Sequence, residues 1–253
     1  MAPMCWESNP HHRYALLVNA MTPWLLTLAL GFLGQSPVAE RHEFPLEPGM
    51  YWNYEGNVVW AEPGASAVQR RQITWRMEIV EVITRDWTTA AVVKGHPRDL
   101  VFFDPKREPR TSLLVSVNLQ KYYLLEGDRV QAALNRLKDP KDLLIGLVRE
   151  SELFLEAPIS IGKRFCDTEM LTRTDDQYCW WVDEEREPSI KSIPGMQPGW
   201  DGPEYTMSFR SPSSSEFIGF APGIGITSYD FNHRGTSSEV QLKLTAFGRT
   251  ASR

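Results

Sequence analysis

The chain has 253 residues, of which 42% are hydrophobic, and its formal net charge is -5. A mildly acidic chain without a polybasic patch lacks the electrostatic surface that nucleic-acid binding requires, so we expect no nucleic-acid partner. The hydrophobic content is sufficient for a sizeable core, and residues 40–253 lie in the size range of a single all-β domain.

An apolar segment, Tyr14 to Leu33, is the first predicted element along the chain. Arg13 precedes it and small residues follow it, which together form the pattern of a secretory signal. We therefore predict that residues 1–39 are an export signal, beginning at Met1 or Met21, and that the protein is periplasmic or extracellular. A retained N-terminal anchor is the alternative, because about 20 apolar residues can span a bilayer. The protein would then contact the membrane only through this segment.

Hydrophobic residues then alternate with polar ones at the period of two that is typical of half-buried β-strands. Ile73, Trp75 and Met77 fall on one face of the segment 72–84, and a slip in the alternation at Val80 predicts a β-bulge. Turn formers separate the other predicted strands, which are Met50–Trp60, Trp87–Lys94, Asp99–Phe103, Ser112–Leu125, Tyr178–Val182, Tyr205–Arg210, Gly225–His233 and Glu239–Phe247.

One short helix is predicted near residues 140–150. Asp139 is its predicted N-cap, Pro140 stands at the first helical position, and leucines then recur at helical spacing. No regular alternation of strands and helices occurs elsewhere, so we predict a mainly β fold. The expected architecture is an antiparallel meander that forms a curled sheet, a half-barrel, a barrel or a sandwich.

Two cysteines, Cys166 and Cys179, remain once the leader and its Cys5 are removed. In an oxidising compartment two cysteines are usually paired, and these two flank the polar turn of a predicted hairpin. We therefore expect a structural disulfide, which would stabilise the fold by roughly 3 kcal/mol in the chain-entropy model.

Residues 183–204 combine an acidic run, Asp183–Glu187, with several Pro and Gly residues, which predicts a long exposed loop. The acidic run lacks the spacing of a calcium loop, so we interpret it as a solvated charge run. Trp200 in this loop is a candidate for capping a ligand, and pinning the loop to the surface is its more ordinary role.

Motifs for catalysis, metals and nucleotides are absent from the sequence, so we expect no enzyme, no metal site and no cofactor. A secreted hydrolase is the alternative. Its minimal acid–base unit would be His233 with Asp230 or Glu239. Alternation along a strand places residues 230 and 233 on opposite faces, which argues against that unit.

Three patches of the chain resemble a group of uncharacterised exported bacterial cell-envelope proteins. Phe44–Tyr54 is similar to their PLxxGxxWxY opening motif, and Ala221–Tyr229 is similar to their APGVG-type closing strand. Leu155–Phe165 is similar to a repetition of the opening motif in mid-chain. The resemblance implies a cell-envelope location. The group has no established activity, so no functional residues can be transferred.

These observations predict a non-enzymatic binding or scaffolding module. Nine Trp, eight Tyr and eleven Phe favour a carrier whose curled sheet holds an apolar small molecule or a lipid. Filling the core is the ordinary role of such aromatic residues. The candidate ligand-binding residues are Trp52, Tyr54, Trp75, Trp87 and Trp200.

Overall fold

The computed structural model describes residues 43–62, 67–149, 151–175, 177–196 and 200–250. The predicted export signal lies outside the described residues. Within the described ranges no helix has the length and the apolar character needed to cross a membrane.

The described residues form one antiparallel sheet of 12 strands. The strands are β1 (Met50–Ala61), β2 (Val68–Arg85), β3 (Thr88–Lys94), β4 (Thr111–Val117), β5 (Lys121–Leu125), β6 (Glu152–Glu156), β7 (Arg164–Phe165), β8 (Trp180–Arg186), β9 (Glu204–Arg210), β10 (Ser214–Ala221), β11 (Gly225–His233) and β12 (Ser238–Arg249). Their order across the sheet is β6-β5-β4-β3-β2-β1-β12-β11-β10-β9-β8-β7. The sheet is therefore two six-stranded meanders joined by the pairing of β1 with β12.

The two edge strands, β6 and β7, follow one another in the chain, so the sheet curls into a nearly closed barrel. Side chains bridge the gap between these edges. The backbone N–H of Leu153 donates to Asp167 (3.0 Å), and the ammonium group of Lys163 donates to the carbonyl oxygen of Glu156 (2.9 Å). The predicted fold class, a mainly β antiparallel meander that curls on itself, is confirmed.

The inner face of the curled sheet carries the main hydrophobic core. On β1 the buried residues Met50, Trp52 and Tyr54 alternate with more exposed ones, and on β12 Val240 and Leu242 do the same. Such alternation buries one set of side chains against the opposite wall of the barrel. Large aromatic rings fill much of this inner core.

A second, smaller core covers the outer face of β3 to β5, where α1 (Arg129–Lys138) and α2 (Ile145–Arg149) pack. Val130, Ala133 and Leu137 recur at helical spacing on α1 and contact the outward side chains of β3 and β4. Because both faces of these strands are buried, their sequences are continuous apolar runs.

The helix prediction near 140–150 is confirmed by α2, but its predicted start is wrong. Asp139 is the C-cap of α1, and its backbone N–H donates to the carbonyl oxygens of Asn135 and Arg136. The turn that precedes α2 is instead held by Asp142, whose carboxylate accepts from the backbone N–H of Leu144 (2.7 Å).

Most predicted strands are present with small shifts at their ends, and the predicted bulge at Val80 is confirmed by a register shift between Ile79 and Glu81. Asp99–Phe103 is not a strand. It overlaps a 3-10 helix, Pro97–Leu100. Ser112–Leu125 is two strands, because Asn118 and Leu119 turn the chain with positive φ angles of 50° and 58°. Strands β6 and β10 were not predicted, and β7 is a short part of the strand predicted around Cys166 as one arm of the hairpin.

The predicted disulfide between Cys166 and Cys179 is confirmed, and it links the residue after β7 to the residue before β8. It therefore joins the two ends of the polar turn.

The predicted loop 183–204 is shorter in the structure, because β8 continues to Arg186 and β9 begins at Glu204. Its anchor is the fully buried carboxylate of Glu204, which accepts from the backbone N–H of Ser189 (2.7 Å) and the hydroxyl of Thr227 (2.6 Å). Burial alone would raise the pKa of Glu204, but these hydrogen bonds and that from Arg186 outweigh it and lower the pKa.

Candidate functional site

The candidate ligand-binding residues occupy different environments. Trp52 and Tyr54 are fully buried in the inner core, where the indole of Trp52 donates to the carbonyl oxygen of Ile224 (2.7 Å) and the hydroxyl of Tyr54 to that of Ile226 (3.0 Å). Their polar atoms are thus engaged within the protein, as is usual for aromatic residues that fill a core.

The other three candidates lie nearer the surface. Trp75 is half-buried and donates to the carbonyl oxygen of Gly95 (2.8 Å), whereas Trp87 is exposed in the turn between β2 and β3. Trp200 packs against the inner core from the loop that precedes β9. Of the five, Tyr54 and Trp75 are paired across β1 and β2, and they line an open cleft of about 370 Å³ together with polar residues.

The candidate acid–base unit is not assembled among the described residues. The Nδ1 atom of His233 accepts from the backbone N–H of Thr236 (3.0 Å), so the imidazole holds the turn between β11 and β12. The carboxylate of Asp230 lies instead near the charges of Lys243 and Arg186, although burial dominates and raises its pKa.

The most unusual concentration of charge is on the β3–β4 connection, residues 95–110. Its base is closed by a hydrogen bond from the backbone N–H of Gly95 to the carbonyl oxygen of Arg110 (3.0 Å). The connection then crosses the inner face of the sheet. The ring of His96 packs on Phe154 of β6 at 5.6 Å between ring centroids, and the ring of Phe103 packs on Trp60 of β1 at 5.0 Å.

Arg98 extends from this connection between two carboxylates of the sheet. Its guanidinium group donates two hydrogen bonds to Glu152 (2.8 and 2.9 Å) and two to Glu216 (2.7 and 2.9 Å). Its side chain is 10% exposed and that of Glu216 is 8% exposed. The rings of Phe154 and Trp180 also lie within 6 Å of the guanidinium carbon. The side chain of Glu152 is 36% exposed, at the outer end of the group. We call Arg98, Glu152 and Glu216 the buried triad, after the burial of Arg98 and Glu216.

The electrostatics of the buried triad follow from its burial and its pairing. Burial alone would lower the pKa of Arg98, but the two carboxylates outweigh it and hold the pKa well above its ordinary value. Burial raises the pKa of Glu216, whereas Arg98 outweighs burial at Glu152 and lowers that pKa. Nearby, burial and then the charge of Arg98 lower the pKa of His96 to about 3.

A second charged group adjoins the triad. Asp99 is almost fully buried and accepts hydrogen bonds from the backbone N–H and the guanidinium of Arg110, while Arg107 donates to the backbone carbonyl of Asp99. This pairing shapes the return of the β3–β4 connection towards β4.

A cavity of about 320 Å³ opens beside these charges, and we call it the charged cleft. Its lining residues are Arg98, Val101, Phe102, Arg107, Arg110, Glu126, Glu216 and Phe231. Glu126 is partly buried and has no hydrogen-bond partner among the described residues, and burial raises its pKa. The fully buried Tyr229 hydroxyl faces the carboxylate of Glu216. Burial and the adjacent Glu216 raise the pKa of Tyr229 well above its ordinary value.

Sequence reasoning did not identify the buried triad or Glu126. Strand periodicity contains the relevant signal, because Glu152 shares a face with Phe154, and Glu216 shares a face with Ile218 and Phe220. A carboxylate at an apolar position of a strand indicates a buried charge that needs a partner. The described residues contain no group of three or more His, Cys, Asp or Glu placed to hold a metal ion.

No known protein family and no curated protein matches this chain. Among solved structures, the chain is similar to a predicted exported protein with a YmcC-like fold from Bacteroides fragilis, with 11% identity and a TM-score of 0.40. The similarity covers 83% of this chain and 100% of that one. A predicted lipoprotein from Parabacteroides distasonis has 13% identity and a TM-score of 0.38, over 82% of this chain and 98% of that one. Similarities at these TM-scores support no argument about function.

Proposed function

We propose that the chain is an exported, non-enzymatic binding module of the bacterial cell envelope and that its ligand occupies the charged cleft. The observation that carries the proposal is the combination of an open cavity with charged groups that are costly to bury. A network with a purely structural role is expected to be complete, since unpaired buried polar groups are destabilising. In the charged cleft, the carboxylate of Glu126 has no described hydrogen-bond partner.

The disulfide supports the exported location. Disulfides persist in oxidising compartments such as the periplasm, and they are rare in the cytosol. The bridge between Cys166 and Cys179 therefore agrees with the secretory pattern of residues 1–39.

The packing of the inner core supports a ligand at the charged cleft rather than in the middle of the barrel. Trp52 and Tyr54 are fully buried and hydrogen-bonded to the backbone of β11 and of the residue before it. An apolar small molecule or a lipid, the partner expected from the aromatic content, would then bind through its polar group. Phe102 and Phe231 would contact its apolar part.

The position of His233 supports a binding role over hydrolysis, because a turn engages its Nδ1 atom and the described structure brings no carboxylate to it. An imidazole oriented by a carboxylate is the minimal acid–base unit of a hydrolase.

Fractionation of cells expressing the full chain tests the location. We expect a periplasmic or extracellular protein whose two cysteines resist alkylation until a reductant is added. Native mass spectrometry of the purified protein tests binding, since a small molecule should co-purify with the wild type and be lost from Glu126→Gln. Glu55→Gln, which removes an exposed carboxylate of β1 outside the charged cleft, is the matched control. A cytosolic protein with reduced thiols would overturn the proposal, as would a co-purifying ligand that is retained equally by both variants.

A further inference from the structure

We infer that the charged cleft binds an organic ammonium group, with its nitrogen beside Glu126 and its alkyl groups against Phe102 and Phe231. This inference rests on the proposed function, because it names the class of ligand for the same cleft.

The unpaired carboxylate of Glu126 favours a cation. The lining carries three guanidinium groups and two carboxylates, and the partners Asp99 and Glu152 add two further carboxylates, so one negative charge is in excess. These residues are Arg98, Arg107, Arg110, Asp99, Glu126, Glu152 and Glu216. Each arginine is already paired with a carboxylate or with the backbone of Asp99, which leaves Glu126 as the carboxylate without a described partner. A ligand cation beside Glu126 would compensate the excess charge.

The aromatic wall of the cleft suits an alkylated cation. The Phe102 side chain is 54% exposed although it is large and apolar, and its ring centroid lies 6.3 Å from that of Phe231. Ammonium groups bind near the faces of aromatic rings through the ring quadrupole. Apolar contact with the same rings would hold the methyl or methylene groups of the ligand.

The backbone of Phe102 supports the same conclusion. Its φ angle is 54°, a conformation that is costly for a bulky residue and that concentrates at functional sites. The hydroxyl of the buried residue Ser238 accepts a hydrogen bond from the backbone N–H of Phe102 (3.0 Å) and holds it in place. The chain thus keeps the exposed ring of Phe102 at the rim of the cleft, although the backbone conformation of this residue is energetically unfavourable.

The cavity of about 320 Å³ accommodates an organic ammonium group. Such chemistry occurs both in free amino alcohols and in zwitterionic lipid head groups.

Isothermal titration calorimetry of the full, oxidised chain tests the inference with choline chloride as the probe. The control ligand is 3,3-dimethylbutan-1-ol, which has the shape of choline but no charge. The titrations are made at pH 8, because burial raises the pKa of Glu126 and a high pH favours its ionised form. We expect choline to bind at least about tenfold more tightly than the neutral alcohol, since loss of a cation–aromatic contact and of a charge pair exceeds the free energy of a tenfold change.

Two variants locate the site. Glu126→Gln keeps the shape of the side chain and should weaken choline binding about tenfold or more, as should Phe102→Leu, while Glu55→Gln should bind as the wild type does. Near-ultraviolet circular dichroism is the measurement that tests whether each variant is folded. Equal binding of choline and the neutral alcohol, unchanged binding by folded Glu126→Gln, or no choline binding at millimolar concentration would each overturn the inference.

Vesicles distinguish the two sources of the ammonium group. Co-sedimentation with phosphatidylcholine vesicles, but not with phosphatidylglycerol vesicles, would support the inference with a lipid head group as the source. Binding of free choline without co-sedimentation would support it with a free amine as the source. Different results would overturn the proposed function. These are a cytosolic location, or a co-purifying ligand that both Glu126→Gln and Glu55→Gln retain. An anionic or neutral ligand in the cleft would overturn only the ammonium inference.

Discussion

The indole of Trp52 donates a 2.7 Å hydrogen bond to the carbonyl oxygen of Ile224, a residue 172 positions later in the chain. Tyr54 repeats the same contact with Ile226, also 172 positions away. The opening patch Phe44–Tyr54 and the closing patch Ala221–Tyr229 therefore pack directly on one another across the inner core. The resemblance of these patches to exported proteins stays a prediction, but their contact gives a physical reason for both to be present in one chain.

The ring of Phe44 explains why residue 225 is glycine. A Cβ atom at this position would lie 2.9 Å from the ring, and the φ angle is +99°. We expect Gly225→Ala to lower the free energy of unfolding by about 1–3 kcal/mol through overpacking, in addition to about 1–2 kcal/mol of backbone strain. Gly223→Ala is the control, because its φ is +79° but nothing lies within 4 Å. Urea unfolding measures both, and equal losses would show that Phe44 does not restrict this site.

The buried triad gives a second prediction. Arg98→Met would leave the carboxylates of Glu152 and Glu216 facing each other without a counter-charge, so we expect a loss of about 3–5 kcal/mol in the free energy of unfolding. The triple variant that also carries Glu152→Gln and Glu216→Gln should recover part of this loss, since no uncompensated charge remains.

The pH dependence of the same variants provides a control. Without Arg98 the two carboxyl groups should titrate at higher pH, because the group that favours their ionised forms is gone. The deficit of Arg98→Met should therefore shrink as the pH falls and the carboxylates become neutral, whereas the deficit of the triple variant should change less, because its glutamines do not titrate. Denaturant unfolding at several pH values measures this, and a constant deficit in Arg98→Met would contradict the electrostatic explanation.

Sequence periodicity predicted the long strands because each of them buries one alternating face. Gly225–His233 was predicted with its observed bounds, and the slip at Val80 located the bulge. β7 has only two residues, so most of the hairpin arm predicted around Cys166 is not a strand. α1 does carry apolar residues at helical spacing, but their role depends on the outer face of strands that are distant in sequence.

Local sequence patterns could not predict the charged cleft, because its charged residues are far apart in the sequence. Asp99–Phe103 has the composition of a strand, but the chain leaves the sheet there, and Arg98 contacts Glu152 and Glu216 instead. Those carboxylates are 54 and 118 positions away. The signal was Glu216 on the face of Ile218 and Phe220 in β10, and Glu152 beside Phe154 in β6. Both segments had to be identified as strands before that signal could be used.

The disulfide gives a third prediction. The variant with both Cys166→Ser and Cys179→Ser should unfold with a free energy lower by roughly 3 kcal/mol, because the bridge no longer restricts the unfolded chain. Addition of dithiothreitol should destabilise the wild type by a similar amount and leave the double variant unchanged. Urea unfolding under oxidising and reducing conditions measures the difference. If the reductant destabilised both proteins equally, the effect could not be assigned to this bridge.

His96 gives a prediction about acid stability. Its pKa is lowered to about 3 in the folded state by burial and by Arg98, and its ordinary value is 6.5. Between these values the unfolded chain binds a proton that the folded protein does not, so His96 makes the protein less stable as the pH falls. The loss is about 1.4 kcal/mol per pH unit, or about 2 kcal/mol at pH 5.

The variant His96→Gln isolates this effect, because its side-chain oxygen can accept from the backbone N–H of Arg98 as Nδ1 of His96 does. Both proteins contain the same carboxyl groups, so the contributions of Glu152 and Glu216 to acid destabilisation largely cancel in the comparison. We expect the wild type to lose about 2 kcal/mol more than the variant between pH 7 and pH 5, measured by urea unfolding. Parallel pH profiles for the two proteins would mean that the imidazole is protonated in the folded state, and that the β3–β4 connection does not bury it as described.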